Sequence, residues 1–436
     1  MRRWTILACA MTMAGMLADP AGGADASPDA ASVPATVADP FAAQAAPRDL
    51  PPNERAQALI ADEPGVVQAR YALEAARQRA AMLAAGPYEW TVRAWTQRRR
   101  YRSSLPDTTE WSTGIERTVR IGDKAALDRQ LGEAQVGLAE ARLGEARHEA
   151  ARSLLELWLD GLAAERTRQL WSDQLGLAEA NLEAVEKLRR AGDASLLESN
   201  AARADLAEVQ RQLSVAAGGV ARARARLRAR FPTLEPQAAV PSEPVPLAPD
   251  ATLWRERILA ESDPLRVAQE LLRRAELTSA RARADRIPDP TVGVHATSEG
   301  AGGAERVVGV TLAIPLGGIY RTAQAREALQ QAEAARAAVE VQRRGLEAEI
   351  GENLATAVAS LQTWRSAEQA VAATRENARL TQRAYALGEA DVQSVLLARR
   401  QSVDAAIGAT QARIEALRAR YRLLVDAHLI WGLHDE

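Results

Sequence analysis

The sequence of 436 residues predicts a mainly α-helical fold with a small transmembrane β-barrel, built from two copies of one pattern. The first observation is a repeated glycine turn, because "LRRAGDASLLESNAARADL" (188–206) returns 196 positions later as "AYALGEADVQSVLLARRQS" (384–402). A second pair, "VRIGDKAALDRQLGEA" (119–134) and "IPLGGIYRTAQAREAL" (314–329), shares an offset of 195. Two landmarks at nearly one offset indicate a duplicated half rather than a short-period solenoid.

The second observation is the order of periodicities, which is the same in each half. Short amphipathic helices are expected over 54–62, 64–85, 251–262 and 264–286, with Pro64 and Pro264 in a first turn, where a missing N–H costs little. Residues 123–188 contain no proline and keep helical spacing throughout. In the second half, apolar residues from Leu346 to Trp364 repeat every three or four positions, which indicates a coiled-coil-like stripe.

The predicted divisions of the chain follow from this order. They are a signal peptide over 1–26, a flexible lead-in over 27–53, a first repeat over 54–231, a Pro-rich connector over 232–250 and a second repeat over 251–436. Each repeat contains a β-hairpin, over 88–120 and 289–316, and a helical hairpin, over 123–231 with its tip at 190–195 and over 320–431 with its tip at 386–391.

The N-terminal segment has a charged start, a short apolar run and small residues suited to cleavage, which is typical of a secretory signal peptide. The single cysteine, Cys9, lies inside it, and the apolar run before it is too short for a lipid anchor. The mature chain would then have no thiol chemistry. A net charge of −2 argues against general nucleic-acid binding, which needs a basic surplus.

The third observation is that the hairpins alternate apolar and polar residues over lengths of about 9–11, enough to cross a bilayer at a tilt. The first hairpin also concentrates aromatic residues suited to a membrane interface, namely Tyr88, Trp90, Trp95, Tyr101 and Trp111. A small soluble sandwich would give the same alternation. In a membrane, however, four strands cannot close a barrel and open edges are forbidden. Three chains with twelve strands would close one.

These features together resemble the TolC-type outer-membrane efflux family, over residues 54–431. The paired tips "RRAGDASLLESNAAR" and "YALGEADVQSVLLARR" carry the resemblance, together with the order of elements. The stretch "AAGPYEWTVRAWTQRRRY" (84–101) is most similar to the heavy-metal (cobalt–zinc–cadmium) branch. The resemblance implies a homotrimer in the outer membrane of a Gram-negative bacterium. A 12-stranded barrel would continue as an α-helical barrel through the periplasm, with residues 231–250 and the C-terminal stretch forming a belt.

The resemblance also implies partners and site residues. The partners would be a periplasmic adaptor (membrane fusion) protein and an inner-membrane pump of the RND type. The residues at the adaptor-docking tips would be Gly192, Asp193, Ala194, Gly388, Glu389 and Ala390. The candidates for the pore entrance and gate are Glu198, Tyr385 and Asp391. Where the family often has a second acidic ring, this chain has Ser394 and Leu397, which argues against a strong one.

No catalytic site, cofactor site or metal site is expected. The histidines at 148, 295, 428 and 434 show no chelating spacing, and no nucleophile–histidine pair or phosphate loop occurs. Two alternatives remain for the function. One is a multidrug or type I secretion duct of the same family, and the other, of a different class, is a periplasmic coiled-coil adaptor or scaffold.

Overall fold

The computed structural model describes residues 41, 47–100, 102, 107–234, 241–248, 250–300 and 305–433. The predicted signal peptide, Tyr101 and His434 lie outside these residues. None of the helices in the described ranges combines the length and apolar character that a membrane span requires.

Eight helices and four strands are formed in the described ranges. The elements of the first half are α1 Asn53–Ala61, α2 Pro64–Ala85, β1 Thr91–Arg99, β2 Thr108–Thr118, α3 Lys124–Ala191 and α4 Leu196–Arg230. Those of the second half are α5 Ala251–Ala260, α6 Asp263–Ala284, β3 Thr291–Glu299, β4 Glu305–Ala313, α7 Ile319–Ala386 and α8 Val392–Asp426.

The two halves repeat each other element by element. Helices α3 and α7 each contain 68 residues, and α4 and α8 each contain 35. At 1.5 Å per residue, each long helix reaches about 100 Å. Mainly α-helical structure with a small sheet, as the sequence predicts, is therefore confirmed.

The four strands form one antiparallel sheet in the order β1-β2-β3-β4. The two hairpins are joined because β2 pairs with β3, with Ile115 opposite Val294. The sequence predicts both hairpins but not this pairing. Strands β1 and β4 remain as the two edges, and each leaves one row of backbone N–H and C=O groups without a strand partner within the sheet.

The helical core follows the predicted apolar stripes. On α3, Ala151, Leu155, Trp158 and Leu162 are buried, and on α7, Leu346, Ile350 and Leu354 are buried. Deeply buried leucine and isoleucine side chains each stabilise the fold by about 1.5–3 kcal/mol relative to exposure. The long helices are thus held by side-chain packing along their length.

Part of the segment predicted to be a flexible lead-in, residues 27–53, makes specific contacts through Asp49. Asp49 is buried, and its carboxylate accepts hydrogen bonds from the Tyr421 hydroxyl at 2.8 Å and the Ser242 amide at 2.8 Å. The Trp158 indole donates to the Asp49 carbonyl at 2.7 Å. These contacts tie the N-terminal segment, the connector and α8 to α3. The Ala- and Pro-rich composition gives no sign of this order, because the partners of Asp49 lie far from it in the sequence.

Candidate functional site

One face of the sheet is apolar and exposed. The register places Val92 opposite Ile115, Ile115 opposite Val294, and Val294 opposite Val310. All four side chains point to the same face because opposed residues share a face, and all four are exposed. An apolar row that crosses every strand is unfavourable in water, so this surface requires a cover of lipid or protein.

The opposite face of the sheet is polar and internally paired. Arg93 forms an ion pair with Glu116 at 2.6 Å, and Arg99 pairs with Glu110 at 3.1 Å. The Gln97 amide donates to Glu110 at 2.7 Å. A sheet with one apolar and one polar face fits a barrel that has lipid outside and water inside.

The predicted membrane-interface aromatics divide between these faces. Trp90 and Trp111 lie on the apolar face, and Arg117 lies over the Trp90 ring at 5.5 Å from its centroid. The two tryptophans mark levels about 20 Å apart along the strands, at roughly 3.4 Å per residue. Trp95 lies on the polar face beside Arg93 and Gln97, since residues of odd number in β1 share that face.

Tyr88 lies at the junction between the sheet and the helices, where its hydroxyl donates to Asp289 Oδ2 at 3.1 Å. The other carboxylate oxygen, Oδ1, accepts hydrogen bonds from the Lys124 ammonium at 2.6 Å and from the Ile121 amide at 3.1 Å. Burial raises the pKa of Asp289, but these three hydrogen bonds outweigh it and hold the pKa below its ordinary value. The cluster fixes the start of α3 to the segment that enters β3.

A second ionic contact reinforces the junction. Arg120 donates to the carbonyls of Leu83, Ala84 and Ala85 and therefore caps the end of α2. It also pairs with Asp128 at 2.9 Å. Sequence reasoning missed this junction, although Lys124 is one of only two lysines in an arginine-rich chain, which is a usable signal.

The two tips are built by one backbone motif. Gly192 has a φ of 89° and Gly388 a φ of 78°, in the left-handed region. The Asp193 amide donates to the Leu188 carbonyl and the Glu389 amide donates to the Ala384 carbonyl, each at 2.9 Å. This is the Schellman pattern that ends helices, and it explains why the sequence repeats a glycine at each turn.

Replacing Gly388 by valine is expected to open the second tip locally. A Cβ at this position would meet nothing within 4 Å, so the cost is the left-handed backbone itself, about 1–2 kcal/mol. Hydrogen exchange of peptides covering residues 380–400 should therefore accelerate about 5–30-fold. Gly388→Asn is the matched control, since asparagine tolerates this conformation. Equal protection in the valine and asparagine variants would contradict the strain argument.

The helices of both tips meet in one small apolar cluster. Val185 of α3, Ala202 of α4 and Val392 of α8 are buried together, and Tyr385 of α7 and Ala194 pack against them. Burial, and then the Glu198 carboxylate, raise the pKa of the Tyr385 phenol above its ordinary value. The predicted gate residue Tyr385 therefore lies where the two hairpins of one chain contact each other.

The two predicted entrance carboxylates also cap helices. Glu198 accepts from the Ser195 amide at 2.7 Å, and the Glu198 amide donates to the Ser195 hydroxyl at 3.2 Å, which is a complete capping box. Asp391 accepts from the Ser394 amide at 2.7 Å, and hydrogen bonds from Ser394 lower the pKa of Asp391. Local capping accounts for these acids without reference to a pore.

Sequence reasoning missed two further features of the tips. The first is a group of exposed leucines, Leu196, Leu197 and Leu387. The second is a duplicated side-chain link, since Arg203 pairs with Glu186 in the first half and Arg399 donates to Gln382 at 2.6 Å in the second. The repeated Ala-Arg pair in the tip motifs was the available signal.

Solved structures with this arrangement of strands and long helices are known. CusC, described as forming a transmembrane channel, matches with a TM-score of 0.72 and 15% identity, covering 86% of this chain and 91% of its own. The outer membrane protein VceC of Vibrio cholerae matches with a TM-score of 0.68 and 17% identity, covering 86% and 95%. The Campylobacter jejuni CmeC outer membrane channel matches with a TM-score of 0.69 and 13% identity, covering 89% and 86%.

The chain has the fold of TolC-type outer-membrane channels. No protein-family model matches the sequence, and no curated protein does. In this chain the sheet lies at one end of the long helices and the two tips lie at the other.

Proposed function

We propose that this protein is the outer-membrane exit duct of a tripartite efflux system, acting as a homotrimer. The observation that carries the proposal is the four-stranded sheet with one exposed apolar face and two open edges. Lipid would cover the apolar face. The edges would close by pairing β4 of one chain with β1 of the next, since unpaired backbone groups are too costly in a bilayer.

Three chains supply twelve strands and six helical hairpins. The paired polar residues of β1 and β2 would then line the water-filled lumen, and the 68-residue helices would continue it through the periplasm. Transport through such a duct is passive. The energy would come from an inner-membrane pump of the RND type, connected by a periplasmic adaptor protein.

The tips are the proposed adaptor-docking surface, with Gly192, Asp193, Ala194, Gly388, Glu389 and Ala390 at its centre. The exposed leucines around them support a protein contact, because apolar side chains at a helix end gain free energy when a partner covers them. Glu198, Tyr385 and Asp391 are proposed to surround the entrance in three copies. Their rearrangement would need the apolar cluster at Val185 to open.

Replacing Leu197 by aspartate is expected to abolish docking while leaving the fold intact. Leu197 is 67% exposed, so the change removes contact surface without opening a core. The measurement is binding of the purified adaptor to the purified duct. Asn200→Asp is the control, since it adds the same charge to an exposed position of α4. Normal binding by the Leu197 variant would place docking elsewhere.

The proposed cargo is heavy-metal cations. The test is a deletion strain complemented with the wild-type gene and challenged with zinc, cadmium, cobalt, copper, dyes and antibiotics. Sensitivity restricted to divalent metals supports the metal branch. Sensitivity to organic compounds instead would agree with the proposed duct but contradict the proposed heavy-metal cargo. The proposal of a duct has its own test, which is the location and mass of the protein. A protein that is extracted without detergent and has the mass of one chain would overturn it.

A further inference from the structure

Two histidines and an aspartate meet in the middle of the helical region. His148 lies on α3, Asp263 is the first residue of α6, and His428 follows the end of α8. All three are buried, and each offers one ligand atom within 4.8 Å of the others. They are separated by more than 100 positions in the sequence, so spacing gave no indication of the cluster.

The three facing atoms form a nearly regular triangle. His148 Nδ1 lies 3.3 Å from His428 Nε2 and 3.7 Å from Asp263 Oδ2. His428 Nε2 lies 3.6 Å from Asp263 Oδ2. A tetrahedral zinc with bonds of about 2.0–2.2 Å requires ligand atoms about 3.3–3.6 Å apart. The triangle therefore matches one face of a zinc tetrahedron.

A carboxylate lies behind each of the two imidazoles, and the one behind His148 is within hydrogen-bond distance. His148 Nε2 lies 3.1 Å from Asp426 Oδ1, which also accepts from Arg152 at 2.8 Å. His428 Nδ1 faces Glu261 Oε2 at 3.9 Å. A carboxylate behind a ligating imidazole is the usual arrangement in zinc proteins, because it holds the tautomer that leaves the other nitrogen free to bind.

Asp263 supplies the second, independent observation. Its side chain is 2% exposed, its Oδ1 contacts Arg266 at 3.4 Å, and its Oδ2 has no hydrogen-bond partner. An unsatisfied buried carboxylate oxygen is costly unless a cation or proton meets it. The Asp263 carboxylate also packs closely against the backbone of α3, since a Cβ built at Gly144 would lie 2.5 Å from Asp263 Oδ1.

The backbone at His428 is held in a strained conformation. Its φ is 55°, a left-handed geometry that a non-glycine residue seldom adopts. This conformation places the His428 ring 5.3 Å from that of His148, centroid to centroid. A cleft of about 420 Å³, lined by Arg142, Glu149, Glu349 and others, reaches His148 and Asp426 and provides a path for an ion.

We propose that His148, Asp263 and His428 bind one zinc ion through Nδ1, Oδ2 and Nε2, with a water molecule as the fourth ligand. Two imidazoles and one carboxylate favour zinc over magnesium or calcium. The ion would pin α3, α6 and the C-terminal segment together. This binding does not depend on the proposed export function or its cargo.

The test uses the full chain, purified in detergent with a tag that contains no histidine. The protein is incubated with zinc sulfate and freed of unbound metal by gel filtration, and zinc per chain is measured by mass spectrometry. We expect about one zinc per chain in the wild type and in His295→Gln, a matched histidine in β3. His428→Gln and Asp263→Asn should retain none, and Asp426→Asn should bind about 10–100-fold more weakly.

A second measurement on the wild type avoids variants that fail to fold. Cobalt added to the metal-free protein should give the strong visible absorption of a four-coordinate site, and zinc should displace it. A proton on His148 Nδ1 would link the same three atoms without metal. An intact wild-type protein with no bound zinc and no cobalt spectrum would overturn the proposal and leave that alternative. Equal zinc in wild type and His428→Gln would overturn it as well.

Discussion

The substitution Val310→Arg should prevent assembly of the protein in the outer membrane. Val310 is 80% exposed on the apolar face, in the middle of edge strand β4 and opposite Val294. A charged side chain on the lipid face of a barrel costs about 2–4 kcal/mol at the bilayer midplane. Three chains would multiply this to about 6–12 kcal/mol in the trimer, comparable to the whole stability of a domain.

The measurement is the amount of heat-resistant trimer in the outer-membrane fraction of expressing cells. Thr311→Arg is the control, because Thr311 is the next residue, is also exposed, and points to the polar face. Its arginine would extend into water and should leave assembly near the wild-type level. Equal loss in both variants would mean that the two faces of strand β4 do not differ in their exposure to lipid, and that the apolar face is not the lipid face.

The substitution Lys124→Met should strongly destabilise the junction between sheet and helices. The Lys124 side chain is 2% exposed and lies 2.6 Å from the Asp289 carboxylate, which is 4% exposed. Removing one partner of a buried ion pair costs about 3–5 kcal/mol, since the other charge stays buried alone. The free energy of unfolding in detergent should fall by that amount in Lys124→Met.

Lysine 187 provides the matched control. Its side chain is 65% exposed and pairs with Glu183 on the surface of α3, so Lys187→Met should leave the free energy of unfolding nearly unchanged. The double variant Lys124→Met with Asp289→Asn should recover part of the loss, because the uncompensated charge is then absent. A double variant as unstable as the two single losses added together would contradict the pairing.

The same pair predicts a pH dependence. The pKa of Asp289 is held below its ordinary value, so its contribution to stability is complete at neutral pH and is lost as acid protonates the folded carboxylate. Asp289→Asn should remove this part of the acid sensitivity. When the free energy of unfolding is measured against pH, the values for wild type and variant should converge below the ordinary pKa range of aspartate and separate above it.

Sequence patterns alone determined the elements and their repetition. Period-two alternation located all four strands, and helical periodicity located the eight helices, because each signal depends on residues close together in the chain. The left-handed turns at Gly192 and Gly388 were equally readable, since few other residues tolerate that backbone. The same alternation assigned Val92, Ile115 and Val310 each to the apolar face of its own strand.

Only the tertiary structure decided which distant residues meet. It joined β2 to β3 and packed Asp49 against Tyr421. It also brought His148 to His428, which sequence spacing had indicated to be unrelated. Such contacts depend on helix crossings and strand order, and neither leaves a periodic signal in the sequence. Neighbouring residues therefore determine local backbone geometry, whereas sites that combine residues of separate elements depend on how the elements pack.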